Sequence, residues 1–293
     1  MSTTDERPAP LTLTFGKRIV LFTSIFILLF LITSVLCWLI IYIGHENQPS
    51  LRIAAVVQDI LIFIVPAITT ALLVTRRPDR FLHINIAPGA SRLITSILTL
   101  LVAIPAMNAL IAWNESLHLP QALSGLEQWM IQSEQQANAF TAKLMSGTSF
   151  ADLALGILII GVLAGLSEEL FFRGTLQRLL ITRPMNPHVA IWLTAFIFSV
   201  FHFQFFGFFP RLLLGAYLGY LVYWTQSLWI PVIVHALNNS LVVLTTWLSA
   251  RSCSWAALDH VGVEGGIVAW ITVIASIILI ACGITRLARS SAM

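Results

Sequence analysis

The chain has 293 residues, 58% of them hydrophobic and 10% charged, with a formal net charge of +3. A soluble domain does not need that much apolar surface, so the composition excludes the soluble classes and predicts a polytopic membrane protein. The positive charges are scattered without a basic block, which argues against a nucleic-acid partner.

Residues 1–17 begin with the polar stretch MSTTDERPAP and are read as a disordered tail. The first apolar span, IVLFTSIFILLFLITSVLCWLIIYIG at 19–44, runs 26 residues without a charge. That exceeds the roughly 20 residues needed to cross a bilayer. No small-x-small cleavage site follows, so it reads as a retained helix and not a signal peptide. Apolar segments are drawn at about 18–44, 53–75, 93–113, 152–180, 188–206, 210–226, 228–249 and 266–285. The expected fold is all-α, a bundle of about eight transmembrane helices. Its parts are three N-terminal helices (18–113), an outer amphipathic connection (114–150), a helical core (151–249), and an outer loop with a last helix (250–293).

Lys17, Arg18, Arg76, Arg77, Arg80, Arg92, Arg178, Arg183, Arg286 and Arg289 all fall on one side of this topology, whereas Arg52, Lys143, Arg211 and Arg251 fall on the other. The richer side is cytoplasmic by the positive-inside rule, and both termini lie there. In the connection 114–150, Leu126, Trp129, Met130, Ala137, Phe140 and Leu144 share one helical face. This predicts a helix lying on the membrane surface or capping the bundle, with substrate gating as the alternative. Cys37, Cys253 and Cys282 show neither metal spacing nor a disulfide framework and read as apolar filler.

An ionisable side chain inside a membrane helix costs roughly 2.5–3.5 kcal/mol on insertion scales, so each calls for a reason. The candidates are Asp59, the group Glu168, Glu169 and Arg173, then His202, and His235 with Asn239. Glu169 and Arg173 are spaced i,i+4 with the acid first, the favourable order for a helical ion pair. Glu168 points about 100° away and must find its partner on another helix. Phe198 shares a face with His202, and His235 shares one with Asn239, while Asn238 is turned aside. Taken singly, these groups are as well explained by buried structural contacts between helices. If the three faces converge, a carboxylate, two imidazoles and a carboxamide form a pocket suited to activating water and stabilising an oxyanion. No serine or cysteine stands in these motifs as a nucleophile, so direct attack by water is the economical chemistry. Asp59 reads as lying at a helix end near the outer interface or hydrogen-bonded within the bundle.

In order, Glu168-Glu169-x-x-x-Arg173, Phe198-x-x-x-His202 and His235-x-x-x-Asn239 resemble the three motifs of the CAAX-protease and bacteriocin-processing (CPBP, Abi) family. This group is related to type II CAAX prenyl endopeptidases and includes lysostaphin-resistance-protein-A-like members. The resemblance covers roughly 150–245, and the first 110 residues share only their hydrophobicity. It implies an eight-helix intramembrane endopeptidase acting on a membrane-associated peptide, CAAX-type or bacteriocin-precursor-like, in a bacterial inner membrane. Glu168 and His202 would then activate water, His235 and Asn239 would form the oxyanion hole, and Glu169, Arg173 and Phe198 would support the site.

The preferred mechanism needs no cofactor. The alternative is a zinc-dependent protease with Glu168, His202 and His235 as ligands. It is disfavoured because HExxH is absent and Glu168 would have to serve as ligand and base together. A non-catalytic membrane scaffold and a proton-coupled transporter using Asp59 and Glu168 are the remaining readings. The transporter expects paired broken helices in the two halves, and Pro66 and Pro105 have no counterparts.

Overall fold

The computed structural model describes residues 12–181, 185–251 and 261–289. Most of the polar tail, together with Arg183 and Cys253, lies outside the described residues. Among the described residues there are helices and turns but no strands.

Among the described residues, ten main helices follow one another. Helix α1 (Phe15–Ile43) is apolar all round and buries only Phe22 and Thr33, the pattern of a helix facing lipid. Helix α2 (Gln48–Val74) is capped by Asn47, whose side chain accepts from the Ser50 amide at 2.9 Å, and it contains a π-helical stretch at Asp59–Ile64. Helices α3 (Ala90–Val102) and α4 (Ile104–Glu115) form one rod bent by 46°. The bend falls beside Pro105, which cannot donate the backbone hydrogen bond that would continue the helix. Helix α5 (Ser124–Leu144) is the amphipathic connection. Helix α6 (Phe150–Ile181) starts with a capping box between Ser149 and Asp152, and carries π-helical stretches at Ile157–Leu163 and Leu170–Gln177. Helices α7 (Pro187–Val200), α8 (Phe208–Thr225), α9 (Trp229–Ser249) and α10 (Ile267–Arg289) complete the bundle.

Among the described residues, five helices (α1, α2, α6, α9 and α10) are long and apolar enough to cross a membrane, or six if the bent α3–α4 rod is one span. The protein is thus all-α with several membrane spans, while the expected count of about eight is not confirmed. The predicted segment 188–206 is helical only to Val200, because Phe203 turns left-handed with φ 52°. At 14 residues, α7 is shorter than the roughly 20 a span requires.

Two close approaches between helices position the site. Where α6 meets α9, a Cβ on Gly165 would stand 2.9 Å from the Ala236 backbone nitrogen, so only glycine lets α9 come so near. Gly161, one turn earlier, faces Ser240 and extends the same seam, the small-residue spacing of tightly packed membrane helices. Where α6 meets α8, Arg173 and Gln177 donate to the carbonyls of Gly215 (2.9 Å) and Gly219 (3.1 Å).

Between α2 and α3, segment 82–86 folds over the α8–α9 turn. His83 Nδ1 bonds the Gln226 carbonyl at 3.0 Å, and Leu228 N–H returns a bond to the His83 carbonyl at 3.0 Å. Ser227 and Trp229 donate to the carbonyls of Ile86 and Ile84. Helix α9 therefore starts beneath a covering segment, and His235 falls in its second turn. Arg52 of α2, counted from sequence as a dispersed outer charge, is paired with Asp152 of α6 at 3.0 Å.

Helix α5 contacts the protein through polar groups and through Trp129, whose ring centroid lies 5.2 Å from that of Phe205. Glu134 accepts from the Phe206 amide at 3.3 Å, Asn138 accepts from Gln204 at 2.9 Å, and Lys143 reaches Glu46 at 3.2 Å. Leu126, Trp129 and Phe140 of the predicted apolar face remain about half exposed.

Candidate active site

Glu168 and Glu169 end the α-helical stretch Ala164–Glu169, which lies between the two π-helical stretches of α6. Such stretches shift the register of a helix and are frequent at functional sites. As the i,i+4 spacing predicts, Arg173 Nη1 donates to Glu169 Oε1 at 2.7 Å, with both side chains 0% exposed. The guanidinium also lies over the Phe198 ring, 4.5 Å from its centroid.

The same Glu169 oxygen holds His235. Nδ1 of the imidazole is 2.8 Å from Glu169 Oε1, a contact that single-helix geometry does not reveal. His235 Nε2 then faces Glu168 Oε2 at 3.8 Å. That oxygen is buried and has no hydrogen-bond partner, so Glu168 does look to another helix, and the group it finds is His235. The electrostatic neighbours of Glu168 include His235, Glu169, Arg173, Arg211 and Asp59.

His202 sits on the turn after α7, with Nδ1 2.8 Å from the Phe198 carbonyl. Phe198 is the wall between the two imidazoles, its ring centroid 4.8 Å from that of His202 and 5.8 Å from that of His235. Arg173, His202 and His235, one from each motif, thus meet around one aromatic ring. Asn239 lies one turn beyond His235, where its Nδ2 donates to the Ile160 carbonyl in the first π-helical stretch at 3.2 Å. Asn238 donates to the Asn239 oxygen at 3.3 Å. The contacts of Asn239 therefore go to the helix seam, with none to Glu168 or His202.

Among the described residues, no three His, Cys, Asp or Glu side chains are gathered closely enough to hold a metal ion. Glu168, His202 and His235 do not form such a group.

Two residues gain importance from the structure. Asp59 lies inside the bundle, buried on the π-helical stretch of α2, where it is an electrostatic neighbour of Glu168. Arg211, counted from sequence only as a loop charge, stands on the first turn of α8. Its spacing of four residues from Gly215 and eight from Gly219 was the available signal.

Fold and site together define an integral, multi-pass helical membrane protein with a carboxylate–imidazole centre buried between its helices. The family model described as Rce1-like, type II CAAX prenyl endopeptidase Rce1-like, matches residues 150–241. This match agrees with the CAAX-protease and bacteriocin-processing family that the three motifs resemble. The family implies a protease and suggests a CAAX-type intramembrane endopeptidase. No curated protein and no solved structure matches the chain.

Proposed function

We propose that the chain hydrolyses a peptide bond in a membrane-associated substrate, with water as the nucleophile and Glu168 as the base. The observation that carries this reading is the pairing of the partnerless Glu168 Oε2 with His235 Nε2 across 3.8 Å. Two groups so spaced can be bridged by one water hydrogen-bonded to both. Glu169 fixes the His235 ring through Nδ1, the logic by which a third group orients a catalytic base. His202, oriented by the Phe198 carbonyl, is the second proton-accepting group at the pocket. The contacts favour His235 as a partner of Glu168 over a role in an oxyanion hole. Both termini face the cytoplasm in this reading, and the membrane is a bacterial inner membrane.

The test uses the full chain in lipid nanodiscs with membrane-associated peptides, prenylated and unprenylated. Wild type is expected to cleave one class, and Glu168→Gln to lose that cleavage while inserting and folding normally. Activity is expected to survive exhaustive chelation, whereas loss on chelation with recovery on zinc addition would favour the metalloprotease. Cleavage by Glu168→Gln at the wild-type rate would sink the assignment of the base. No cleavage by wild type would favour the scaffold reading.

A further inference from the structure

Helix α5 is attached to the bundle without being built into it. Of its 21 residues only Leu144 is buried. Most helices in proteins are held by the packing of one face, so the place of this one depends on what covers the rest of it. Its surface has three sectors. Glu127, Met130, Glu134, Ala137 and Thr141 are partly buried and, with Leu144, mark the side turned to the bundle. On one flank Leu126, Trp129 and Phe140 stay half exposed, within an arc of about 60° at 3.6 residues per turn. Opposite the bundle, Gln128, Gln132 and Gln135 are exposed. Glutamines suit water, but three large apolar side chains gathered on one flank call for an apolar cover.

The position of α5 indicates that cover. Lys143 pairs with Glu46 in the turn between α1 and α2, and Arg52 joins the start of α2 to Asp152 at the start of α6. Asn114, at the end of α4, donates to the Phe205 carbonyl at 3.2 Å and accepts from the Phe209 amide at 3.0 Å. The ends of α1 and α4, the starts of α2 and α6, and the turn 201–207 therefore gather at one end of the bundle, where membrane spans reach water. Exposed aromatic side chains collect at that end: Trp38 and Tyr42 on the last turns of α1, Trp113 on α4 and Phe150 at the start of α6. Trp and Tyr concentrate at the headgroup level, where one side is apolar and the other wet. Helix α5 adds Trp129 and Phe140 to the same end. A polar face toward water and an apolar flank beside lipid-facing spans are the marks of a helix lying in the interface. The same helix grips the turn that carries His202, through Glu134 to the Phe206 amide, Asn138 to Gln204 and Trp129 to Phe205.

We propose that α5 binds the lipid surface at this end of the bundle through Leu126, Trp129 and Phe140, and so ties the turn carrying His202 to the membrane interface. The partner is the headgroup and upper acyl region of the bilayer that the spans already occupy. The inference stands apart from the peptidase reading, and its test reads no cleavage.

The experiment uses the full chain in phosphatidylcholine nanodiscs, with Cys37→Ser, Cys253→Ser and Cys282→Ser as background. An environment-sensitive fluorophore is attached through Leu126→Cys, Phe140→Cys, Gln132→Cys or Gln135→Cys, one at a time. At positions 126 and 140 the emission is expected to shift to the blue and to be quenched by nitroxide-bearing lipid. At 132 and 135 it is expected to be quenched by aqueous iodide instead. Iodide quenching at 126 and 140 would place the flank in water and overturn the proposal. Shielding from both quenchers there would overturn it in favour of a protein cover, such as a second copy of the chain. The tie to the turn is read by hydrogen exchange of residues 201–207. In the double variant Leu126→Asp, Phe140→Asp, their exchange is expected to rise about fivefold, the effect of losing one net hydrogen bond, while α7 exchanges as in wild type. Wild-type protection of the turn would sink the tie. Should that variant misfold, Glu134→Ala with Asn138→Ala, which leaves the apolar flank intact, decides. The turn is then expected to exchange faster with the probe at position 140 still quenched by lipid, and an unchanged turn overturns the proposal.

Discussion

Replacing Glu169 by Gln is expected to destabilise the fold as well as to stop catalysis, and the structure sets the size of the effect. One oxygen of Glu169 accepts from Arg173 at 2.7 Å and from His235 at 2.8 Å, and the Glu169 and Arg173 side chains are 0% exposed. Removing one member of a buried ion pair costs about 3–5 kcal/mol, because the other charge is left without compensation. Arg173 keeps its bond to the Gly215 carbonyl and its place over Phe198, so the lower end, about 3 kcal/mol, is expected. Combining Glu169→Gln with Arg173→Met removes the stranded charge and should recover more than half of that loss. It should not recover activity, since His235 still lacks the carboxylate that orients it. Glu168→Gln, by contrast, alters an oxygen that has no partner, and should melt at or above the wild-type temperature. Reversible denaturant titration and thermal melting in nanodiscs, run beside the peptidase assay, separate these outcomes. Equal destabilisation by Glu168→Gln and Glu169→Gln, with no recovery in the double variant, would refute the division of labour between the two glutamates.

Gly165→Ala should lower stability by about 1–3 kcal/mol, the usual cost of overpacking, and cut activity by moving His235 away from Glu168; wild-type stability and rate would mean that α9 yields freely. His83, outside the spans, is held below its ordinary value by burial first and by Arg178 second. The unfolded chain therefore binds more protons as pH falls through about 6.5, so this contribution to stability is complete above that value and is lost below it. His83→Asn, which tolerates the φ of 57° found there, should flatten the fall in melting temperature between pH 7 and 5, and an unchanged slope would exclude His83 as its source.

What could be read from the sequence was whatever depends on composition and on spacing within one helix. Hydrophobic excess predicts a membrane bundle because lipid tolerates an apolar surface that water does not. Glu169 and Arg173 could be paired in advance because i,i+4 neighbours on a helix meet whatever surrounds them. The turn at 201–207 could not be foreseen, since a run of phenylalanines looks equally apolar in a helix and in a turn. The bond from Glu169 to His235 joins residues 66 positions apart and exists because Gly165 lets the Ala236 backbone come close. The small residues of that seam are visible in the chain, but which helix they admit is a property of packing. Arg211 is the sharpest case: by sequence it is one loop charge among several, and only the tertiary structure sets it on the first turn of α8, donating to Gln204 beside the turn that carries His202. Interactions local to one helix are set by backbone geometry, whereas contacts between helices depend on how a dozen side chains pack at once, and only the tertiary structure decides those.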